Sequence, residues 1–280
     1  MKLAIHSRLF SSSPQWLPSY TLEEAIRRTA DLGFDGIEIA ACAPHAWPPY
    51  LSGNRRKQVR SILDDHGLEV SSVCPVLGGG PGLNPASCDE LERTAAEAYF
   101  KECLDLAAEW ECKVFIWVCG WVVYGTQRRE AWKWNSEMLA RCAEYESGTG
   151  VTLAIEPTGK DTDLVASIDD GLELMREINL PNVKVMFDTI HALHTGEVMA
   201  DSIRKAGRDL VHVHISDKDR MPPGVRGGTD FRSVVEALNE VGYDGYLALE
   251  IGLWRNADPD GLARQGLEYM RGLLEACSGT

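Results

Sequence analysis

Residues 151–188 read VTLAIEPTGKDTDLVASIDDGLELMREINLPNVKVMFD. The segment opens on a short apolar run at 151–156, continues through an amphipathic stretch at 167–178, and closes on a second run at 183–188. Both runs have the length and β-branched content of strands, and the stretch between them has helical periodicity. The turn-like joint Asn179-Leu180-Pro181-Asn182 returns the helix to the second strand. This is a strand-helix-strand unit.

The same rhythm fills the 280 residues. Apolar runs recur at 2–6, 36–40, 69–75, 113–118, 151–156, 183–188, 210–216 and 246–251. Helical stretches follow them at 22–32, 54–66, 89–110, 129–147, 167–178, 196–206, 231–241 and 259–276. Strict alternation implies parallel strands joined by right-handed crossovers, and eight units predict a single-domain α/β fold over 1–280, a closed (β/α)₈ TIM barrel. An open doubly wound sheet is the alternative. Helix-to-strand joints such as Gly33-Phe34-Asp35-Gly36 and Gly242-Tyr243-Asp244-Gly245 are tight, whereas strand-to-helix joints at 7–19, 41–53, 76–87, 121–128 and 217–230 are long. In a barrel the long joints gather at the C-terminal face of the strands, which is where function is to be sought.

Composition narrows the classes. A formal charge of −14, from 42 acidic and 28 basic residues, argues against nucleic acid as the main partner. No apolar run approaches the roughly 18 residues of a membrane span, and the opening MKLAIHSRLF is too short for a signal peptide, so a cytoplasmic protein is expected. Eight scattered cysteines without a CxxC read as reduced thiols.

Four consecutive strands end in groups suited to a cation: Glu156 closes LAIE, Asp188 closes VMFD, His214 lies in VHVHISD, and Glu250 closes LALE. Two glutamates, one aspartate and one histidine form an oxygen-rich set that suits one Mn²⁺, Co²⁺ or Mg²⁺ better than a thiolate zinc site. His212 and His214 share a side of their strand. The later one is nearer the loop and is the expected ligand, leaving His212 as a packed histidine.

The segments LAIEPTG (153–159), VMFDTIH (185–191), VHVHISDKDRMPPGVRGGTDF (211–231) and GYDGYLALE (242–250) resemble the xylose-isomerase-like barrel superfamily, in the sugar isomerase/epimerase branch that includes the ketose 3-epimerases. The resemblance implies that Glu156, Asp188, His214 and Glu250 bind one divalent metal, Mn²⁺ first, and that Glu156 and Glu250 are also the acid/base pair. The family's DxxH corresponds to Asp188 and His191, and its H-x₅-R to His214 and Arg220, so His191 and Arg220 are implied to bind substrate oxygens. The stretch AACAPHAWPPY (40–50) is similar to the fructosamine 3-epimerase subgroup.

Departures matter too. Ketose 3-epimerases carry a second Glu six residues after the first ligand, where this chain has Thr162. Endonuclease IV shares the fold, but the extra His and Asp ligands of its trinuclear site have no counterpart at Cys74-Pro75, Val118-Cys119 or Thr229-Asp230-Phe231. The Gly78-Gly79-Gly80-Pro81-Gly82 run matches no phosphate-loop pattern and reads as a flexible loop. Among the loop aromatics, Trp16 and Trp121 are the candidates to floor a sugar pocket, and His6, which ends the first strand, is a further candidate contact or a hydrogen-bonded core residue. Neither a nucleophile elbow nor HExxH is visible, and nothing in the sequence activates Cys74 or Cys119.

The expected function is therefore epimerisation or isomerisation of a keto-sugar or derivative. A metal chelated by the carbonyl and the neighbouring hydroxyl stabilises an enediolate. One carboxylate removes the proton and another returns it. The nearest alternative, a lyase, uses the same first step but expels a β-substituent, as in cyclitol dehydration or cleavage of an oxidised C-glycoside, the latter with a small β-rich partner subunit. A non-catalytic sugar-binding barrel is the remaining alternative. A homo-oligomer is expected, with the aromatic loops at 41–51 and 119–127 closing a neighbour's site.

Overall fold

In each strand, residues of one parity face the barrel axis and those of the other face the helices. The computed structural model describes residues 1–11, 19–76, 82–252 and 258–278. Its strands are β1 (Lys2–His6), β2 (Gly36–Ala40), β3 (Glu69–Cys74), β4 (Val114–Val118), β5 (Thr152–Glu156), β6 (Val183–Asp188), β7 (Leu210–Ile215) and β8 (Tyr246–Leu249). They form a closed barrel in chain order. Parallel pairing of β1 with β8, from Lys2 opposite Tyr246 to Ile5 opposite Leu249, closes the ring.

Cys74, Val114, Ile116, Val118, Ala154 and Met186 pack along the axis. The opposite parity, including Ile5, Ile37, Val73, Phe115, Trp117, Leu153, Val185 and Val213, packs beneath the helices in the main core. These are α1 (Leu22–Leu32), α2 (Gly53–Asp65), α3 (Glu90–Glu109), α4 (Arg128–Tyr145), α5 (Ile168–Ile178), α6 (Thr189–Thr195), α7 (Met199–Ala206), α8 (Phe231–Glu240) and α9 (Pro259–Cys277). Side chains set several starts: Thr21 accepts from the Glu24 amide, and Ser167 with Asp170 forms a capping box on α5. No helix among the described residues is long and apolar enough to cross a membrane.

The fold differs from the sequence expectation at one crossover. A single helix is expected over 196–206, but the chain forms α6 directly after β6 and starts α7 only at Met199. Gly196, at φ 76°, is the left-handed cap that ends α6, so it separates two helices instead of opening one. The extra helix matters because its first residues lie at the barrel mouth. β3 and β8 also end before Pro75 and Ile251, leaving Glu250 just beyond its strand with its amide donating to Ile215 O at 3.2 Å. Trp16, Trp254 and residues 77–81 of the glycine run lie outside the described residues.

Candidate metal centre and active site

The inward parity that fills the barrel with apolar groups delivers charged ones at its C-terminal end. Ligand atoms of Glu156, Asp188, His214 and Glu250 all lie within 4.8 Å of one another, and all four residues are buried. The His214 Nδ1 faces Glu250 Oε2 at 3.1 Å, Glu156 Oε1 at 3.3 Å and Asp188 Oδ2 at 3.7 Å. It is buried yet meets none of them in hydrogen-bonding geometry. Burial alone would lower the pKa of His214, but the charges of Glu38 and Glu250 outweigh it and raise it well above the ordinary value. The cage thus favours a positive charge beside Nδ1. Three carboxylates and one imidazole nitrogen fit a hard or borderline divalent ion.

Asp188 joins the cage to α6. Its Oδ1 accepts from the Ile190 amide at 2.8 Å, capping the helix, and its Oδ2 lies 2.8 Å from Arg220 Nη1. Burial pushes this carboxyl up, but the Arg220 guanidinium and His191 hold it at about 2. One turn into α6, His191 Nε2 stands 3.2 Å from Arg220 Nη2 and 3.5 Å from Asp188 Oδ2. Arg220 also reaches Glu250 Oε2 at 2.6 Å, so it spans both carboxylates.

The segment that carries Arg220 is held by a residue without an obvious sequence signal. Buried Asp217 accepts from the amides of Lys218, Arg226, Gly227 and Gly228, at 2.8, 2.8, 3.0 and 3.2 Å. Asp219 and Arg220 both adopt positive φ, at 61° and 53°. Consecutive left-handed non-glycine residues persist only where surrounding contacts fix them, and Asp217 on one side and the Asp188–Glu250 pair on the other do so here.

Beneath the cage lies Glu38, from the middle of β2 and completely buried. His214 Nε2 meets its two oxygens at 3.0 and 2.9 Å, His212 Nε2 lies at 2.8 Å, His6 Nε2 at 3.1 Å, and the Ser72 hydroxyl donates to it. Burial would raise this carboxyl, but His214 and His6 bring it well below its usual range. Glu38 therefore fixes which His214 nitrogen faces the cage, the arrangement in which a carboxylate orients a metal-binding histidine. His6 is 1% exposed, and its Nδ1 accepts from the Arg8 amide at 3.0 Å. It stands in this supporting layer.

Elsewhere, Trp121 lines a groove with Val122, Lys160, Asp161 and Thr162. Asp161 Oδ2 lies 3.9 Å from His191 Nε2, which links that groove to the cage. Thr162 pairs its hydroxyl with Thr158 at 2.6 Å and brings no carboxylate to the site. Burial raises the thiols of Cys74 and Cys119 far above the ordinary cysteine range. His45, in the 40–50 stretch, ties Ser7 Oγ and Tyr20 O, each at 3.2 Å.

The family model described as xylose isomerase-like TIM barrel matches residues 26–273. Fructoselysine 3-epimerase of Escherichia coli is 28% identical over 272 residues, covering 95% of this chain and 97% of that protein. D-psicose 3-epimerase of Ruminiclostridium cellulolyticum is 26% identical over 281 residues, covering 89% and 91%. The crystal structure of D-psicose 3-epimerase with D-tagatose from Clostridium cellulolyticum is similar in fold, with a TM-score of 0.84 at 24% identity over 98% of this chain and 99% of that one. With a family match running from α1 to α9, the chain belongs to the xylose isomerase-like TIM barrels.

Proposed function

We propose that the protein is a divalent-metal-dependent epimerase or isomerase of a keto-sugar or keto-sugar derivative, with Mn²⁺ as the preferred ion and Co²⁺ or Mg²⁺ as substitutes. The observation that carries this reading is the convergence of Glu156, Asp188, His214 and Glu250 around an imidazole nitrogen that meets no hydrogen-bond partner among the described residues. When bound, the ion supplies Lewis-acid stabilisation of charge developing on the carbonyl and hydroxyl oxygens of the sugar. Glu156 and Glu250 then exchange protons with the reacting carbon. They emerge from β5 and from the end of β8, three strands apart around the ring, and so approach the mouth from different sides. Arg220 and His191 orient substrate oxygens from the β6–β7 side. The curated 3-epimerases to which the chain is similar along nearly its full length support a sugar substrate.

The direct test is a screen of free ketoses, keto-cyclitols and 3-keto-glycosides in ²H₂O, with and without Mn²⁺. Metal-dependent deuterium incorporation at an inverted carbon is the expected result. Elimination products from the same panel would move the assignment to a lyase, and sugar affinity that survives chelation without any exchange would indicate a non-catalytic binder. Further support for the metal should come from Glu38→Gln, expected to weaken Mn²⁺ binding by about 10- to 100-fold because His214 loses its orienting carboxylate. Competition with a chelating dye measures this, and wild-type affinity in the variant would remove Glu38 from that role. A homo-oligomer is also proposed, with exposed Tyr50 and Tyr124 on the loops that meet the neighbour. A monomeric mass by light scattering at working concentration would refute it.

A further inference from the structure

Arg8 and Arg220 are the two buried basic side chains other than histidine among the described residues, and they differ in one respect. Arg220 is paired with Asp188, Glu250 and His191. Arg8 is 6% exposed, yet its guanidinium donates to no described group, and its Nε is fully enclosed without a partner. Its backbone lies in the single turn Ser7–Phe10 that follows β1 at the mouth, two residues beyond His6. Its electrostatic neighbours are Cys42, Cys74, Glu250 and Arg220, on residues at or just beyond the ends of β2, β3, β8 and β7. The guanidinium therefore lies at the β1–β3 side of the same mouth, across from Arg220.

No side-chain carboxylate among the described residues forms an ion pair with it, and the remaining segments, SSPQWLP at 12–18, LGGGP at 77–81 and LWRNA at 253–257, contain neither Asp nor Glu. Its Nε is enclosed without a partner among the described residues, while its two Nη groups are not enclosed, which leaves the guanidinium free to pair with a ligand. Its planar fork matches two oxygens of one anionic group better than separate hydroxyls.

Resting on the reading of the site as a keto-sugar epimerase or isomerase, we propose that Arg8 is a substrate-binding residue that recognises an anionic group with paired oxygens, a carboxylate or a phosphate, on the sugar away from the reacting carbon. Arg226 is no substitute, since its side chain is exposed, with its Nε 3.9 Å from Asp219 Oδ2. The test is titration calorimetry of the Mn²⁺-loaded full chain with D-fructose, D-fructuronate and D-fructose 6-phosphate, in wild type, Arg8→Met and Arg8→Lys. Wild type should bind a charged probe about 10-fold more tightly than D-fructose, and Arg8→Met should erase that preference while shifting D-fructose by less than about 3-fold. Which charged probe gains the advantage identifies the group. Equal affinity for all three probes in wild type, or equal weakening of all three in Arg8→Met, would overturn the proposal. If Arg8→Met does not fold, Arg8→Lys decides: it keeps the charge and loses the fork, so a reduced preference supports the contact and an unchanged one overturns it. A preference that depends on Arg8, with no deuterium exchange from these probes or from the wider panel of ketoses, keto-cyclitols and 3-keto-glycosides, would uphold the contact and refute the epimerase reading instead.

Discussion

Glu250→Gln is expected to lower turnover by about 10²-fold or more with the metal still bound, the scale of a lost acid/base group. Gln keeps the size and one oxygen of Glu250 but removes its basicity. In the native site Glu250 Oε2 lies 2.6 Å from Arg220 and 3.1 Å from His214. Burial alone would raise this carboxyl, yet Arg220 and His214 hold it well below its ordinary range. Among the described residues Glu156 forms no ion pair with a guanidinium, and its neighbours in the cage are His214 and His191 at 3.3 and 3.9 Å. The two carboxylates are thus distinct, and the variant should separate them. In ²H₂O, the epimer whose hydrogen faces Glu156 should still exchange in Glu250→Gln without turning over. Equal loss of exchange from both epimers would assign Glu250 a structural role, and wild-type turnover in the metal-replete variant would exclude it as a base.

Asp188→Asn should lose metal and activity together while keeping its fold. The carboxylate divides its duties between Oδ1, which caps α6, and Oδ2, which faces His214 and pairs with Arg220. Asn retains an oxygen for the cap and surrenders the charge. Removing one of three cage carboxylates also leaves Arg220 with Glu250 as its remaining close carboxylate. Metal content by mass spectrometry and thermal melting, measured on the same preparation, test the two halves of this expectation. Metal retained at the wild-type level would remove Asp188 from the ligand set.

The barrel is readable in the sequence because buried parallel strands are short apolar runs, and the helices between them show their own period. Glu156, Asp188 and Glu250 stand out for a related reason: each is a charge at or next to the last position of such a run. Glu38 carries no comparable mark. In GIEIA it sits mid-strand, where its meaning depends on His212 and His214, which are 174 and 176 residues away in the chain. Arg8 is likewise silent, since SRLF describes neither the burial of its guanidinium nor the want of a partner for its Nε among the described residues. The seven residues of α6 are too few for a periodic signal, so their role as the platform for His191 emerges only when Asp188 is seen capping them.

Closure of the ring through β1 and β8 also has a consequence for how the chain is made. Lys2 pairs with Tyr246, so the first strand to leave the ribosome cannot find its second neighbour until the last strand is synthesised. At about 5–20 residues per second, that edge waits on the order of 10–50 s, a period in which an unpaired strand invites association with other chains. Glu250 arrives immediately after β8, so completion of the ring and completion of the charged cage are one late event. A chain truncated before Tyr246 lacks both together, and incomplete synthesis yields no open-barrel product with a finished site.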